Sequence, residues 1–325
     1  MVVEYAAFRR RKMTLESVGD QHYDLFLSSL NKSVRVRTLE GAISAARRVW
    51  IVHEEYSYED HELSGMEVVF ASRSVAPAES WAGILESLGP SGDLAGLRVA
   101  VDITGMMRPH IAMLPYALAK AGAEQVTILY SDPDSYVSGE RTEFTKGPVR
   151  SVGLIPGMEG QHAIVPSPRD ALIVGAGYDH HLVKAVADDK PDAEHVILLG
   201  LPSLQPHMYQ ESVVKLEHAS ESIHDYYVRS GRIFAPASDP FATAQVVADK
   251  VDELGDLDHL YLTAVGAKPQ VLGFAWYYWC EAAGTNTSFL FPFADGYERQ
   301  TTNGIATIHE YVLELGFVRR PDMGR

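Results

Sequence analysis

Two stretches of this sequence, about 160 residues apart, contain the same kind of strand–turn–helix junction. The first is DITGMMRP at 102–109 and the second is TAVGAKPQ at 263–270. Each follows an apolar, β-rich run, contains a glycine, and places a cation directly before a proline that begins a helical pattern. A repeated junction of this type favours two similar α/β units and leaves few other folds open.

Apolar runs alternate with helical patterns through both halves of the chain. In the first half we predict strands at 23–29, 49–55, 66–72, 97–104 and 124–131, and helices at 34–48, 76–89 and 109–122. In the second half we predict strands at 170–177, 194–200, 231–237, 258–265 and 286–293, and helices at 239–255 and 269–284. This alternation is typical of parallel strands joined by helical crossovers. The expected fold is therefore α/β, with two tandem Rossmann-like parallel-sheet units related by internal duplication.

The spacing inside the two halves also corresponds. Pro109 precedes Tyr136 by 27 residues, and Pro269 precedes Tyr297 by 28. Matching content, order and spacing favour two copies of one unit. The alternative is a chance resemblance between two unrelated α/β halves.

The stretch 137–169 matches neither half and is rich in Gly, Pro and Ser. We interpret it as a connector with room for a small hairpin. The predicted units are therefore residues 1–150 and 151–325, and we expect the second to end in a helix at 302–316.

Composition limits the functional classes. The net charge of −15 repels polyanions, so the chain is not expected to bind bulk nucleic acid, although a local basic pocket for one small anion is compatible with it. Cys280 is the only cysteine, so we expect no disulfide framework and no thiolate metal site. His180 and His181 are adjacent and no matching cluster has the spacing of metal ligands, so we expect no metal, and we also expect no cofactor. The apolar run 271–284 is too short to span a bilayer, and the start of the chain does not have the pattern of a signal peptide. We therefore expect a cytoplasmic protein with no membrane segment.

Both junctions are expected at the ligand-binding edge of a parallel sheet, where loops lead from strand ends into helix N-termini. A helix N-terminus disfavours a nearby cation, so Arg108 and Lys268 become favourable when an anion lies in front of them. Gly105 and Gly266 allow the backbone to approach such a ligand closely. The alternative is that both cations point into solvent and the glycines only form turns.

Other residues are expected at the same edge. Asp102 ends a predicted strand and either hydrogen-bonds a ribose hydroxyl or caps the next turn. The loops 28–33 and 175–181 follow the first strand of each half and are small or polar, which suits a phosphate or a base. Their candidate contributors are Ser28, Ser29, Asn31, Gly175 and Gly177.

The aromatic stretch 274–279, FAWYYW, lies on a predicted helix. We expect these side chains to pack in a core or to contact a partner protein. Stacking on a base is less favoured, and the neighbouring Cys280 is expected to be a buried apolar residue.

The segment YLTAVGAKPQVLGFAWYYW at 261–279 resembles the strand–turn–helix motif of CARF (CRISPR-associated Rossmann fold) domains. That motif has an apolar strand, a Thr, a Gly-containing turn, a Lys and a helix. The segment VAVDITGMMRPHIAMLPYALA at 99–119 resembles a drifted copy, with Arg-Pro in place of Lys, a shorter turn, and Pro115 inside the helix. These departures put the equivalence of the two halves in doubt. The resemblance implies that the residues facing ligand phosphates are Thr104, Gly105, Arg108, Thr263, Gly266 and Lys268.

CARF domains pair so that two equivalent loops form one pocket for the cyclic or linear oligoadenylates of antiviral signalling. The resemblance therefore implies a sensor of prokaryotic defence that binds an oligonucleotide messenger between its own two halves and acts through a partner protein. A ring-nuclease-like variant would also cleave the ligand without a metal, with Lys268 or Arg108 stabilising the phosphorane charge.

Two other functional classes stay open. One is a Rossmann-type enzyme acting on a nucleoside or a nucleotide sugar, with Asp102 or His180 in general acid–base chemistry. The other is a scaffold subunit whose pockets are vestigial and whose aromatic helix contacts a partner.

Overall fold

Each half of the chain contributes an open sheet of mostly parallel strands, and each sheet belongs to its own unit of the structure. The computed structural model describes residues 3–72, 76–89, 93–136, 145–161, 167–223, 231–298 and 302–320. Unit A comprises Phe8–Phe144 and Gly296–Val318. Unit B comprises Met1–Ala7, Thr145–Asp295 and Arg319–Arg325.

Unit A contains a seven-stranded sheet. Its strands are β1 (Arg10–Met13), β2 (His22–Ser29), β3 (Ser44–His53), β4 (Val68–Ala71), β5 (Val99–Asp102), β6 (Gln125–Asp132) and β15 (Thr307–Glu314). Its helices are α1 (Leu15–Gly19), α2 (Val34–Ala42), α3 (Pro77–Ser87) and α4 (Arg108–Lys120). The order across the sheet is β1-β15-β6-β5-β2-β3-β4, in which β2 to β6 are parallel and β15 is antiparallel to both of its neighbours. A small antiparallel ribbon joins β7 (Ser135–Tyr136) to β14 (Thr302–Asn303).

Unit B contains a six-stranded sheet. Its strands are β8 (Thr145–Leu154), β9 (Asp170–Gly175), β10 (Glu194–Gly200), β11 (Arg232–Ala235), β12 (His259–Ala264) and β13 (Thr287–Tyr297), of which the last two residues are counted with unit A. Its helices are α5 (His180–Asp189), α6 (Met208–Glu217), α7 (Pro240–Leu254) and α8 (Lys268–Tyr277), and a π-helical turn follows α8 at Tyr278–Ala282. The order across the sheet is β11-β10-β9-β12-β13-β8, and β9 to β13 are parallel.

The two units have the same strand order. When the five parallel strands of each unit are numbered along the chain, both sheets have the Rossmann-like order 3-2-1-4-5. The order reverses between β2 and β5 in unit A, and between β9 and β12 in unit B. The chain is therefore an α/β protein with two Rossmann-like units, which confirms the predicted fold class.

The local sequence explains these elements. All residues of β5 and β9 are buried, as expected for apolar strands covered on both faces. Helices α3, α4, α7 and α8 each have a proline in the first turn, where its missing N–H costs no helical hydrogen bond. Among the described residues, no helix combines the length and the apolar character needed to span a membrane.

The C-terminal segment corrects one prediction, because residues 302–316 do not form a helix. Ile308, Tyr311, Val312 and Leu315 have the spacing of one helix face, which explains the expectation. In the structure this segment contains β14 and β15, and every residue from Ile308 to Leu313 is buried. Strand β15 lies between β1 and β6, so both of its edges are paired, and the burial of consecutive residues shows that both of its faces are covered.

The helix predicted at 34–48 is also too long. Helix α2 ends at Ala42, and residues 44–48 already pair with β2 as the start of β3. The helix propensity of SAARR is thus outweighed by strand pairing. The elements β1, β8, α1, α5 and α6 occupy stretches in which we predicted no strand or helix.

The predicted connector 137–169 contains β8, whereas residues 137–144 and 162–166 lie outside the described residues. Strand β8 follows β6 and β7 along the chain, yet it lies next to β13 in unit B. Strand β15 follows β13 and β14, yet it lies next to β6 in unit A. Thr307 begins β15 162 positions after Thr145 begins β8, close to the offset between the two junctions. The duplication therefore includes β8 and β15. The sixth strand of each unit is supplied by the chain segment that follows the fifth parallel strand of the other unit.

An ion pair between the buried Glu310 and the half-exposed Arg11 links β15 to β1. Glu310 is fully buried in the middle of β15. Its carboxylate accepts hydrogen bonds of 2.8 and 3.0 Å from Arg11 on β1 and one of 3.0 Å from Gln21.

We predict that Glu310→Ala lowers the free energy of unfolding of unit A by about 2 kcal/mol, because it removes a buried carboxylate that accepts charge-assisted hydrogen bonds from Arg11 and a further one from Gln21. Chemical denaturation measures the change. Glu314→Ala, at the exposed end of the same strand, is the control and should change stability by less than about 0.5 kcal/mol. Equal changes in the free energy of unfolding of the two variants would contradict a stabilising role for the hydrogen bonds to Glu310.

Candidate functional site

The reversal of strand order marks one edge in each sheet. Ligands of open α/β sheets bind at this point, outside the carboxyl ends of the two strands concerned. The structure brings the predicted residues of the first half to this edge of unit A, at the ends of β2 and β5 or in the segments that follow: Ser28, Ser29, Asn31, Asp102, Thr104, Gly105 and Arg108. It brings those of the second half to the same edge of unit B, at or after the ends of β9 and β12: Gly175, Gly177, Thr263, Gly266 and Lys268.

In unit A the turn after β5 lies directly against the end of β2. A Cβ atom on Gly105 would overlap the carbonyl oxygen of Ser29 and would lie 3.1 Å from Cβ of Asn31. The Tyr56 hydroxyl donates a hydrogen bond of 3.1 Å to the carbonyl oxygen of Gly105. Close approach of two backbone segments, and not a positive φ, therefore requires glycine at this position.

Unit B repeats this contact. A Cβ atom on Gly266 would lie 2.7 Å from the carbonyl oxygen of Ala176, and one on Gly177 would lie 2.8 Å from Cα of Gly266. The amides of Val265 and Gly266 both donate to the carbonyl oxygen of Gly175, at 2.8 and 3.0 Å. Ser29 and Ala176 thus occupy equivalent places, each under a turn glycine.

Asp102 is fully buried, and both of its carboxylate oxygens accept hydrogen bonds. The Ser28 hydroxyl donates to Oδ2 at 3.0 Å, and the Thr104 amide donates to Oδ1 at 2.8 Å. The Thr104 hydroxyl in turn accepts from the amide of Ser131 at 2.9 Å, which joins the turn to the end of β6. Of the two roles considered for Asp102, this geometry is that of a cap on the following turn.

Two buried histidines support the same turn, and we did not predict either of them. The Ser29 hydroxyl lies 2.9 Å from Nε2 of His53, and the Met107 amide donates to the same nitrogen at 3.4 Å. The ring of His110, in the first turn of α4, lies 4.7 Å from that of His53, and burial lowers the pKa of His110 to about 4. The Trp81 indole on α3 donates to the backbone carbonyl of His110 at 2.9 Å, which fixes the start of α4.

Both cations begin a helix. Arg108 is the first residue of α4 and Lys268 the first of α8, and both side chains are partly buried. The residues before them, Met107 and Ala267, provide no side-chain cap for the helix N–H groups. Each helix therefore has an uncapped N-terminus with a cation beside it, which is a favourable arrangement for an anion.

Arg35, which we also did not predict, adds another cation to unit A. It lies in the first turn of α2 and is buried. Its Nε donates to the Thr302 hydroxyl at 3.0 Å, and its Nη1 donates to the carbonyl oxygen of Ser131. Its position on a predicted helix made it look like part of a solvated face, and only the fold places it beside β6.

Asp132, the last residue of β6, lies close to Arg35. Its exposed fraction is 7%, and burial raises the pKa of its carboxyl to about 7, although the positive charges of Arg35 and Lys12 act to lower it. Within the described part of the chain, its Oδ1 atom has no hydrogen-bond partner. Asp132 is thus a buried carboxyl group with one oxygen that accepts no hydrogen bond from the described residues.

The corresponding edge of unit B is lined mainly by backbone. Gly175, Ala176 and Gly177 stand where unit A has serines and Leu30. Thr263 is fully buried, and its hydroxyl oxygen has no hydrogen-bond partner among the described residues. Beyond Gly177, the Tyr178 hydroxyl donates to Glu211 at 2.6 Å.

The aromatic stretch 274–279 is buried. Phe274, Trp276 and Trp279 have no exposed surface, and Tyr277 and Tyr278 are at most 6% exposed. These side chains pack in the interior, as one of the two interpretations expects. A partner protein stays a prediction, with no surface assigned to it.

Comparison with known proteins identifies no relative from which a role could be transferred. No protein-family model matches the chain, and no curated protein matches it either. The geometry and chemistry of the two sheet edges are therefore the basis for assigning a function.

We predict that Gly105→Ala and Gly266→Ala each lower the free energy of unfolding by at least about 2 kcal/mol, because the new methyl group collides with backbone that cannot move aside. Thermal unfolding of the purified variants measures this. Gly41→Ala is the matched control, since nothing lies within 4 Å of the added Cβ on helix α2. That change should stabilise by up to about 1 kcal/mol. Destabilisation by all three would contradict the close-approach explanation.

We predict that Asp132 makes the free energy of unfolding fall as the pH rises through 7, and that replacing Asp132 removes this fall. Its pKa is higher in the folded protein, so the folded state binds more protons there than the unfolded chain between about pH 4 and 7. The stability present at low pH is therefore lost as the pH rises through 7. The free energy of unfolding of Asp132→Asn, measured relative to wild type, should therefore rise by on the order of 2 kcal/mol from pH 5 to pH 8. Urea denaturation at the two pH values tests this, and a constant difference would contradict it.

Proposed function

We propose that this chain is a CARF-like sensor that binds a cyclic or linear oligonucleotide through phosphate sites at the strand edges of its units. The observation that carries the proposal is the repeated geometry of the two junctions. In each unit, a glycine with no room for a side chain lies at the switch point, and an uncapped helix begins with a cation and a proline.

This geometry supports an anionic ligand for a physical reason. The first N–H groups of α4 and α8 have no helical partners, and the helix dipole gives that end a partial positive charge. Arg108 or Lys268 in the same place adds a full positive charge to this partial charge, so an anion bound there is attracted by both. A phosphate accepts hydrogen bonds from both kinds of donor at once.

The rest of the chain favours a small nucleotide over a long nucleic acid. The net charge of −15 opposes binding of a long polyanion, whereas a ligand with a few phosphates needs only local positive charge. Rossmann-like sheets bind nucleotides at this switch point. Two sites of one type in one chain suit a ligand whose repeating unit carries a phosphate.

The proposal includes action through a partner protein, with ligand cleavage as a possible second activity. A metabolic acid–base enzyme is less well supported, because Asp102 uses both oxygens inside the fold. His180 is the other candidate for that chemistry. Its ring packs against that of the neighbouring His181, with 3.9 Å between the two ring centroids.

Differential scanning fluorimetry with a ligand panel is the first test. The panel contains cyclic tri-, tetra- and hexa-adenylate, cyclic dinucleotides, NAD, ATP and nucleotide sugars. A bound ligand at 100 times its Kd should stabilise by about 2.7 kcal/mol, which corresponds to a shift of a few degrees. We expect a shift with an oligonucleotide. A shift with NAD or a nucleotide sugar alone would contradict the sensor proposal.

We predict that Arg108→Ala and Lys268→Ala each weaken oligonucleotide binding about ten- to a hundredfold, as expected for the loss of a charged hydrogen bond to phosphate. Isothermal titration calorimetry gives the Kd values. The controls are Arg98→Ala and Arg169→Ala, which remove exposed cations paired with Asp24 and Asp258 at the amino ends of strands in the same two sheets. Unchanged binding by the Arg108→Ala/Lys268→Ala double variant would overturn the phosphate sites.

A further inference from the structure

We propose that unit A also contains a recognition site for a ribose hydroxyl, formed by Asp132 at the end of β6, beside Arg35 and at the same sheet edge as the junction that carries Arg108. The inference rests on the proposed function and deepens it. It adds to the phosphate site a group that distinguishes ribonucleotides from deoxyribonucleotides.

Asp132 lies at the same sheet edge as the junction of unit A. Strands β5 and β6 are parallel neighbours, so their carboxyl ends lie side by side. The hydrogen bond from the Ser131 amide to the Thr104 hydroxyl joins the residue before Asp132 to the turn that carries Gly105. Arg35 donates to the carbonyl oxygen of Ser131, the residue directly before Asp132, so its guanidinium lies beside this strand end.

The open carboxylate oxygen distinguishes Asp132 from Asp102. Buried polar groups are nearly always hydrogen-bonded, so each exception calls for a specific cause. Asp102 accepts bonds from Ser28 and Thr104, whereas Oδ1 of Asp132 has no partner in the described part of the chain. Arg35 donates its hydrogen bonds to the Thr302 hydroxyl and to the Ser131 carbonyl oxygen instead of to this carboxylate. Asp132 therefore offers, at this sheet edge, a buried carboxylate oxygen that no described residue uses.

The surroundings of Asp132 select the kind of donor. Arg35 and Lys12 are close enough to lower the pKa of this carboxyl, and their positive charges disfavour a cationic amine as the ligand group. A neutral donor remains favourable. Acidic residues in dinucleotide-binding folds accept a hydrogen bond from a ribose hydroxyl, and in a nucleotide the ribose lies next to the phosphate. With Arg108 on the phosphate, the ribose hydroxyl is the nearest neutral donor.

Unit B does not repeat this site. The segment SDPDSY at 131–136 corresponds to PFADGY at 292–297, so Phe293 stands in the place of Asp132. The ribose site is therefore expected once per chain, in unit A alone.

The test compares cyclic tetra-adenylate with cyclic tetra-deoxyadenylate, using isothermal titration calorimetry on the full chain. Wild type should bind the ribose form about tenfold more tightly, the value of one hydrogen bond to a carboxylate. In Asp132→Ala the ratio should fall to about one, because the acceptor is gone. Asp132→Asn keeps an acceptor oxygen and should retain most of the preference. Asp24→Ala, at the amino end of β2, should leave the wild-type ratio unchanged.

Three results separate the failures. Equal binding of the two probes by wild type overturns the ribose site, and this result does not depend on whether any variant folds. A preference that persists in Asp132→Ala also overturns it, while the phosphate sites stand. If wild type binds neither probe, the proposed function itself fails and the ribose site with it.

Discussion

In both units the backbone of the turn after the fourth parallel strand lies against the end of the first strand, with no space for a side chain between them. Gly105 meets Ser29 in unit A, and Gly266 meets Ala176 in unit B. This contact sets where α4 and α8 begin, and it places their uncapped N-termini at the switch point of each sheet. The position of Arg108 and of Lys268 follows from it, because each is the first residue of its helix. The placement of the charged groups at these edges thus depends on a steric constraint in the backbone.

The contact between turn and strand end is the same in both units, but the chemical groups around it differ. Around the glycine of unit A, side chains form a buried network that includes Ser28, Asp102, Thr104 and His53. The edge of unit B instead presents glycines and alanine, and the contacts there are made by main-chain atoms. Backbone donors suit a phosphate, which needs several N–H groups and no particular side chain. Side-chain acceptors suit a group with its own donors, so the two sheet edges differ in the chemistry that they offer.

Periodicity and turn chemistry were enough to predict the fold class, most of the parallel strands and the two junctions. Those features are local, since a buried parallel strand is a short apolar run and a helix start needs only a few residues. Errors arose where the deciding partner is distant in sequence. The segment 302–316 has helical spacing, and only its place between β1 and β6 makes it a strand. For the same reason β8 looked like a linker, because its partner β13 lies more than a hundred residues away.

The predicted site residues were found from their neighbours in the sequence, whereas the residues that were missed depend on the tertiary fold. Arg35, His53 and Asp132 have ordinary local contexts, and each becomes notable only through burial or through a contact with another strand. Asp132 in particular lies in SDPDSY, which has the composition of a turn. A sequence pattern shows that an aspartate is present but not whether its oxygens are satisfied. That property depends on the three-dimensional packing around the residue.

The exchange of sixth strands explains why Asp132 is buried at all. Asp132 pairs with Thr307 at the start of β15, and its carbonyl oxygen accepts from the Ala306 amide at 2.9 Å. Thr302, the partner of Arg35, belongs to the same incoming segment. Without this segment β6 would be an edge strand, and its last carboxyl group would face water with an ordinary pKa. The C-terminal strand, which follows the second half of the duplication, therefore creates the desolvated carboxyl group and the oriented arginine in the first unit. Unit B has Phe293 at the corresponding position of its sequence, so its fifth parallel strand ends without this carboxyl group.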